Sequence, residues 1–528
     1  MPGRPGFPMN LHLMCAIIVL CAIAVFAAGC VSSPAGTPAV TPSLAPAGTS
    51  GAGDVSAIVP QFDAYAEKSF TKSGVPGMAV AIVKDDKVVY LRCFGIKNIT
   101  TKEPVNPDTR FQLASISKSV TSAMIASMVG NGELSWDDPV ASLDNRFVLS
   151  DPYVSSHATF RDLLSHRSGL PEYGGDDLQY GFGYSRPEIM SRLRYLGLTG
   201  SFRSSYGYSN IGITAAGEAA AMKAGKPYED LVAERIFVPA GMYNTSAHFS
   251  DFAGSADHAD SYPLENGTPV AGPLLNDDVN SPAGGVSSTI NDMARYARLQ
   301  ADGGSIDGKQ VINASALRET HMPQYIRSYS DTGMTGSGLG WNTYLVNGHS
   351  RIEKDGALSS GVATLVTVWP GEKMSLVVLT NGFPEGNVLT GSISNGWDEL
   401  YYSGRIQKDW YGDTMQNIKA MFAGMSPKPV PEPVNPRPAR VLTYYTGSYS
   451  QDYYGTVRIV ADAGNLLVYA GHSTTPFVLE PYDGDTFREA SGESVARFGA
   501  GSNATAGSAW FGRYEAPGRN GTFVRISP

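Results

Sequence analysis

The apolar and polar positions divide the chain into stretches of different kinds. Leu11 to Ala28 is an almost unbroken apolar run preceded by Arg4, and Val31 to Asp54 is rich in Pro, Ala, Ser, Thr and Gly. Beyond Val55 the patterns become periodic. Phe62, Tyr65, Ala66 and Phe70 recur at helical spacing. Met78–Val83 and Val88–Phe94 flank Lys84-Asp85-Asp86-Lys87, which predicts a β-hairpin. Val120, Met124, Ile125 and Met128 predict a helix that Gly130 and Gly132 stop. Gly361–Trp369, the turn at Pro370-Gly371 and Met374–Thr380 predict a second hairpin, and Asn387–Tyr402 a closing helix. Strands therefore come first and last, with helices between. The economical arrangement is α+β: one antiparallel sheet built from both ends, helices packed over it, and the helical middle as a lobe. A cleft between lobe and sheet is the expected place for a site.

A proline-rich stretch runs from Pro427 to Pro438. From Leu442 onward short apolar strands alternate with Gly and Asp turns, which predicts a small antiparallel sandwich or barrel. The expected organisation is a signal or lipoprotein segment over 1–30, a flexible linker over 31–54 and an α+β domain over 55–405. A proline-rich linker over 406–440 and a small β-barrel over 441–528 complete it.

The leading run ends Ala27-Ala28-Gly29-Cys30, small residues before a single cysteine, as in the cleavage box of a lipoprotein signal. The expectation is an exported protein at the cell surface or in the periplasm, tethered to the membrane by a lipid on Cys30 or, as the alternative, by the uncleaved run as an anchor. Residues 31–54 cannot bury a core and would act as a spacer off the membrane. The formal net charge of −9 argues against a nucleic-acid partner. Cys15 and Cys21 lie in the leading run, so Cys30 and Cys93 remain and imply no disulfide framework. The eight histidines show none of the helical spacings of zinc sites, and no metal is expected.

Candidate chemistry centres on Ser115-Ile116-Ser117-Lys118. At the start of a helix, a serine and a lysine three positions on share one face, which brings an amine within reach of a hydroxyl. A hydroxyl is a weak nucleophile until a neighbouring base takes its proton. A helix N-terminus also offers free N–H groups to a developing oxyanion. The spacing recurs at Ser69-Phe70-Thr71-Lys72, read as the frayed end of a helix before Val75-Pro76. His166, after a short helix capped by Thr159, is read as structural rather than as a catalytic base. Further along lie Tyr208-Ser209-Asn210, Pro282-Ala283-Gly284-Gly285, Gly338-Leu339-Gly340-Trp341 and Lys354-Asp355-Gly356.

In this order, Ser115/Lys118, Tyr208/Asn210 and Lys354/Gly356 resemble the three elements of the serine β-lactamase and penicillin-binding-protein superfamily. The likeness is to its class C-like branch, and it runs from about Val55 to Tyr402. The segment after Leu442 is similar to the lipocalin-like barrel that follows such domains. The resemblance implies a β-lactamase/transpeptidase-like αβα sandwich and a serine hydrolase acting on an amide or ester. Ser115 would form an acyl-enzyme, with Lys118 or Tyr208 as the base. Burial would favour a neutral Lys118, and two cations near Tyr208 would favour its phenolate. Asn210 would orient Lys118 and the substrate, Lys354 and Gly356 would line the substrate side, and the N–H groups of Ser115 and Ala357 would form the oxyanion hole. No cofactor is needed. The substrate would be a small molecule or short peptide, with D-amino-acid peptides and esters ahead of β-lactams. Asp355 departs from the Lys-Thr-Gly common in the family. Facing the site it would repel a substrate carboxylate, although strand alternation offers the opposite orientation. The competing reading from another class is a binding protein on an inactive hydrolase scaffold, its barrel holding a ligand.

Overall fold

A computed structural model describes residues 55–331, 333–346, 348–423, 430–501 and 504–527. The leading segment with Cys30 and the 31–54 linker lie outside the described residues. Among the described residues, no helix is long and apolar enough to cross a membrane. The elements used below are α1 (Val59–Ser73), β1 (Gly77–Lys84), β2 (Lys87–Gly95), α2 (Ser117–Gly130), α3 (Asn210–Ala224) and α4 (Ile290–Ala301). They continue with β3 (Tyr325–Ser330), β4 (Gly333–Ser337), β5 (Asn342–Val346), β6 (His349–Leu358), β7 (Val362–Trp369), β8 (Met374–Thr380), α5 (Glu385–Ser403) and α6 (Trp410–Ala423). The last eight strands are β9 (Gly447–Gln451), β10 (Gly455–Asp462), β11 (Asn465–Ala470), β12 (Phe477–Asp483), β13 (Thr486–Glu489), β14 (Val495–Gly499), β15 (Ser508–Phe511) and β16 (Thr522–Ser527).

The chain forms two compact units, one of residues 55–133 with 229–423, the other of 134–228 with 430–527. The first is built on an eight-stranded sheet in the order β2-β1-β8-β7-β6-β5-β4-β3, and the pairs described in it are antiparallel. The first hairpin turns on Asp85 and Asp86, both at positive φ (49° and 61°), the backbone that a two-residue hairpin loop requires. β1 then pairs with β8, Val80 opposite Val378, so the sheet is indeed assembled from both ends of the domain. Alternation sorts its side chains. Met78, Val80, Ile82, Leu376 and Val378 join Phe62 of α1 and Val388, Ile393 and Trp397 of α5 in one core. α6 adds Tyr411 and Ile418 to it. α4 packs against β1, β7 and β8.

The second unit joins the middle helices to a closed barrel of β9 through β16 in sequential order. Strand alternation places Tyr449, Val457, Leu466, Phe487, Phe511 and Phe523 inside it, each with no exposed surface. Eight strands leave an interior that side chains can fill, and here apolar and aromatic side chains line it.

Two expectations need correcting. Residues 406–440 are not all linker, because α6 lies within them and its Tyr411 and Ile418 enter the core. Ser69 is not at a frayed end. It is buried inside α1, which runs on to Ser73 and is capped by Gly74 at φ 71°. Lys72 pairs with Asp409 instead of reaching a serine (2.5 Å).

Candidate active site

Ser115 lies on a 3-10 turn, Ala114–Ile116, that leads directly into α2. Ala114 holds φ at 50°, a left-handed conformation that costs a residue with a Cβ roughly 1–2 kcal/mol. Its surroundings maintain it. From Phe111 to Met128, Ser115 is the one residue that is not buried. Lys118 is fully buried and donates from Nζ to Ser115 Oγ and to the carbonyl oxygen of Ala283, both at 2.8 Å. The geometry expected of the Ser-x-x-Lys spacing is therefore present.

The short helical turn around Ala283 is fastened to α2 on either side of that contact. Thr121 Oγ1 donates to the carbonyl of Pro282 (2.6 Å), and the N–H of Val286 donates to Ser117 Oγ (3.0 Å). Ser117 in turn donates to the carbonyl of Ala114 (2.7 Å), which ties the turn to the same clamp. Pro282-Ala283-Gly284-Gly285 thus works through its backbone, as a cradle for the lysine. Gly340 has a related packing role. At φ 75°, a Cβ placed on it would stand 2.6 Å from the Lys118 carbonyl oxygen.

β6 brings Lys354-Asp355-Gly356-Ala357 onto this turn. A Cβ on Gly356 would stand 2.2 Å from the carbonyl oxygen of Leu113 and 3.0 Å from the nitrogen of Ser115. Thr364, opposite Gly356 on β7, donates to that same Leu113 carbonyl (2.7 Å). The pleat puts Lys354 on the Gly356 side and Asp355 on the side of Glu353. Lys354 Nζ nevertheless bends back to the Asp355 carbonyl (2.8 Å) and to its carboxylate (3.2 Å), which Asn342 also reaches (3.2 Å). Burial opposes ionisation of Asp355, but the Lys354 charge and hydrogen bond outweigh it, with a smaller pull from Lys118. The carboxyl is held below its ordinary 3.8. Asp355 therefore serves Lys354 as a partner, and its carboxylate stays beside the Lys354 charge.

Tyr208 and Asn210 belong to the other unit. Ser209 caps α3, accepting from the N–H of Gly212 (3.0 Å), so the Tyr-x-Asn straddles a helix start. Asn210 Nδ2 donates to Asp176 Oδ2 (2.6 Å), and Tyr173 N donates to the Tyr208 carbonyl (2.9 Å). The Tyr208 ring lies 4.7 Å from that of His166 and 5.3 Å from that of Tyr173. His166 is buried, and its Nδ1 accepts from the Ser209 N–H (3.2 Å), which makes it a support for this segment. Sequence reasoning missed Asp176 and the Ala283 carbonyl. The glycines after Ala283 were a signal for the second, whereas nothing in the sequence pairs Asp176 with Asn210.

A sheet flanked by helices, with a Ser-x-x-Lys turn packed on one of its strands, defines the β-lactamase/transpeptidase-like class of serine hydrolases. The chain belongs to the beta-lactamase family, whose model matches residues 57–391. It is 28% identical over 438 residues to an unguisins hydrolase of Aspergillus campestris, across 77% of this chain and 78% of that protein. It is 30% identical over 320 residues to penicillin-binding protein 4 of Amycolatopsis lactamdurans, across 59% of this chain and 82% of that one. Among solved structures it resembles the octameric penicillin-binding protein homologue from Pyrococcus abyssi. The TM-score is 0.57 at 19% identity, over 86% of this chain and 98% of that chain, which is a likeness of fold.

Proposed function

We propose that this protein hydrolyses an amide or ester through an acyl-enzyme on Ser115, with D-amino-acid peptides or carboxylic esters as the substrate class. The observation that carries the reading is the 2.8 Å contact of Lys118 Nζ with Ser115 Oγ at the single unburied position of a buried run. Ser115 Oγ attacks the carbonyl carbon while its proton passes to Lys118, directly or shared with Tyr208. The N–H groups of Ser115 and Ala357 receive the oxyanion. Collapse expels the leaving group, which takes the proton, and water then attacks the ester to free Ser115. Lys354 and Asn210 hold the substrate, and Gly356 keeps β6 close to the turn. The relatives named a hydrolase and a penicillin-binding protein support an acyl-transfer reaction of this kind.

The test is labelling with a fluorophosphonate or penicillin probe, followed by a screen of D-amino-acid amides, D-Ala-D-Ala peptides, p-nitrophenyl esters and nitrocefin. Labelling that disappears in Ser115→Ala supports the hydrolase. No labelling of the folded wild-type chain sinks it and favours the binding scaffold. Export and a lipid anchor at Cys30 complete the reading, on the strength of the leading sequence alone. Mass spectrometry of the mature N-terminus from the native host would reveal an unlipidated chain if that part is wrong.

A further inference from the structure

The barrel and the segment carrying Tyr208 and Asn210 share one compact unit, and the turn over residues 173–177 joins them. On the barrel side, Arg519 Nη1 donates to Asp177 Oδ2 (2.7 Å) and the Tyr453 hydroxyl donates to Asp177 Oδ1 (2.9 Å). The same hydroxyl accepts from the N–H of Gly175 (2.9 Å). The Arg519 and Asp177 side chains are 7% and 8% exposed, and Tyr453 is 1% exposed, so water does not screen these contacts. Burial and the neighbouring Asp177 raise the Tyr453 phenol well above its ordinary value and keep it a donor. On the other side, the turn supplies Asp176 to Asn210 (2.6 Å) and the Tyr173 N–H to the Tyr208 carbonyl (2.9 Å). It also presses Gly175 on Ile211, where a Cβ would meet the Ile211 side chain at 3.3 Å. Five consecutive residues are thus gripped from both sides, and Asp176 and Asp177 point one carboxylate each way.

Gluing two surfaces does not need this arrangement. A buried ion pair is commonly replaceable by apolar groups at little or no loss of stability, so stability alone does not account for it. We propose that the C-terminal barrel positions Tyr208 and Asn210 for acylation, with Tyr453 and Arg519 as positioning residues acting through the 173–177 turn. The proposal rests on the hydrolase reading above.

The experiment uses the full chain with Tyr453→Phe, Arg519→Met and Arg519→Lys. It measures the rate of fluorophosphonate acylation at Ser115 and the steady-state hydrolysis of a p-nitrophenyl ester. Tyr453→Phe removes one oxygen and no ring, and is expected to slow acylation about tenfold with KM nearly unchanged, because small misplacements act on the rate of the chemical step. Arg519→Lys recovers part of what Arg519→Met loses. Combined with Asn210→Ala, Tyr453→Phe adds less than its full loss, since Asn210 is one of the two groups the turn places. Wild-type acylation rates in Tyr453→Phe and Arg519→Lys overturn the proposal, as does a rate loss that multiplies in full with that of Asn210→Ala. If Arg519→Met does not fold, the other two variants decide. A wild-type chain that never labels removes the hydrolase reading and this proposal with it, whereas labelling unaffected by the barrel variants removes this proposal alone.

Discussion

Gly356→Ala tests whether the approach of β6 to the Ser115 turn matters. The added Cβ would stand 2.2 Å from the Leu113 carbonyl oxygen, against the 3.0 Å below which Cβ contacts are essentially never found, a shortfall of 0.8 Å. It would also stand 2.5 Å from Thr364 Oγ1 and 3.0 Å from the Ser115 nitrogen. Two of these atoms are backbone and cannot swing aside, and Thr364 is already committed to Leu113. The strand or the turn must retreat by most of an ångström. Overpacking of this size costs about 1–3 kcal/mol. A displacement near 1 Å at reacting groups costs on the order of 100-fold in rate. The expected result is therefore a fall in Tm of a few degrees with acylation at Ser115 slowed about 100-fold in protein that remains folded. Gly371→Ala is the control, because a Cβ there meets nothing within 4 Å and φ is not positive. Should Gly356→Ala acylate like wild type, or no worse than Gly371→Ala, the close packing has no bearing on the chemistry.

Lys118→Met keeps the bulk of the side chain and removes the amine. Acylation is expected to fall about 10²–10⁴-fold while denaturant unfolding changes little, and near-normal labelling would take Lys118 out of the proton path. Gly340→Ala introduces a Cβ 2.6 Å from the Lys118 carbonyl at φ 75°. A loss of about 2–4 kcal/mol in chemical denaturation is expected, and a loss under about 1 kcal/mol would refute the packing role. Asp355→Asn removes a carboxylate whose folded value lies below its ordinary 3.8. Its contribution is complete above that value and is lost as pH falls through the lower folded one. Wild type should therefore exceed the variant at pH 7, with the gap closing as pH falls below 3.8. A gap that persists unchanged at low pH would mean the charge is not its source.

Legibility in the sequence followed the range of the interactions. The hairpin at Asp85-Asp86, the apolar spacing of α2 and the Ser115–Lys118 pair are local, and the pattern carried each of them. Which face of β6, that of Lys354 and Gly356 or that of Asp355, meets the Ser115 turn depended on how the sheet packs, which a single strand cannot reveal. Ala114 in a left-handed turn had no local sign, because alanine elsewhere avoids that conformation and here is held there by neighbours. Least legible was the grip on the 173–177 turn. Tyr453 and Arg519 lie 276 and 342 residues from Asp177, and their own surroundings read only as strand ends and a turn. The proline-rich stretch suggested a barrel apart from the rest, while its deepest charged contact is with the middle of the chain.

The barrel interior bears on the competing idea of a binding scaffold. A barrel that stored a ligand needs empty volume, yet Phe487 sits 4.8 Å from the Tyr445 ring and 5.5 Å from the Phe498 ring, with no exposed surface of its own. Truncating it should behave as a core truncation. Phe487→Ala is expected to cost about 3–5 kcal/mol in denaturant unfolding of the full chain, because the lost ring leaves a hole that its neighbours fill only in part. A spacious, ligand-ready interior would tolerate the change at under about 1 kcal/mol, and that outcome would restore the storage idea. With the inside occupied by side chains, the barrel can act on the rest of the molecule only through its surface. At that surface, Tyr453 and Arg519 meet the turn that holds Asn210.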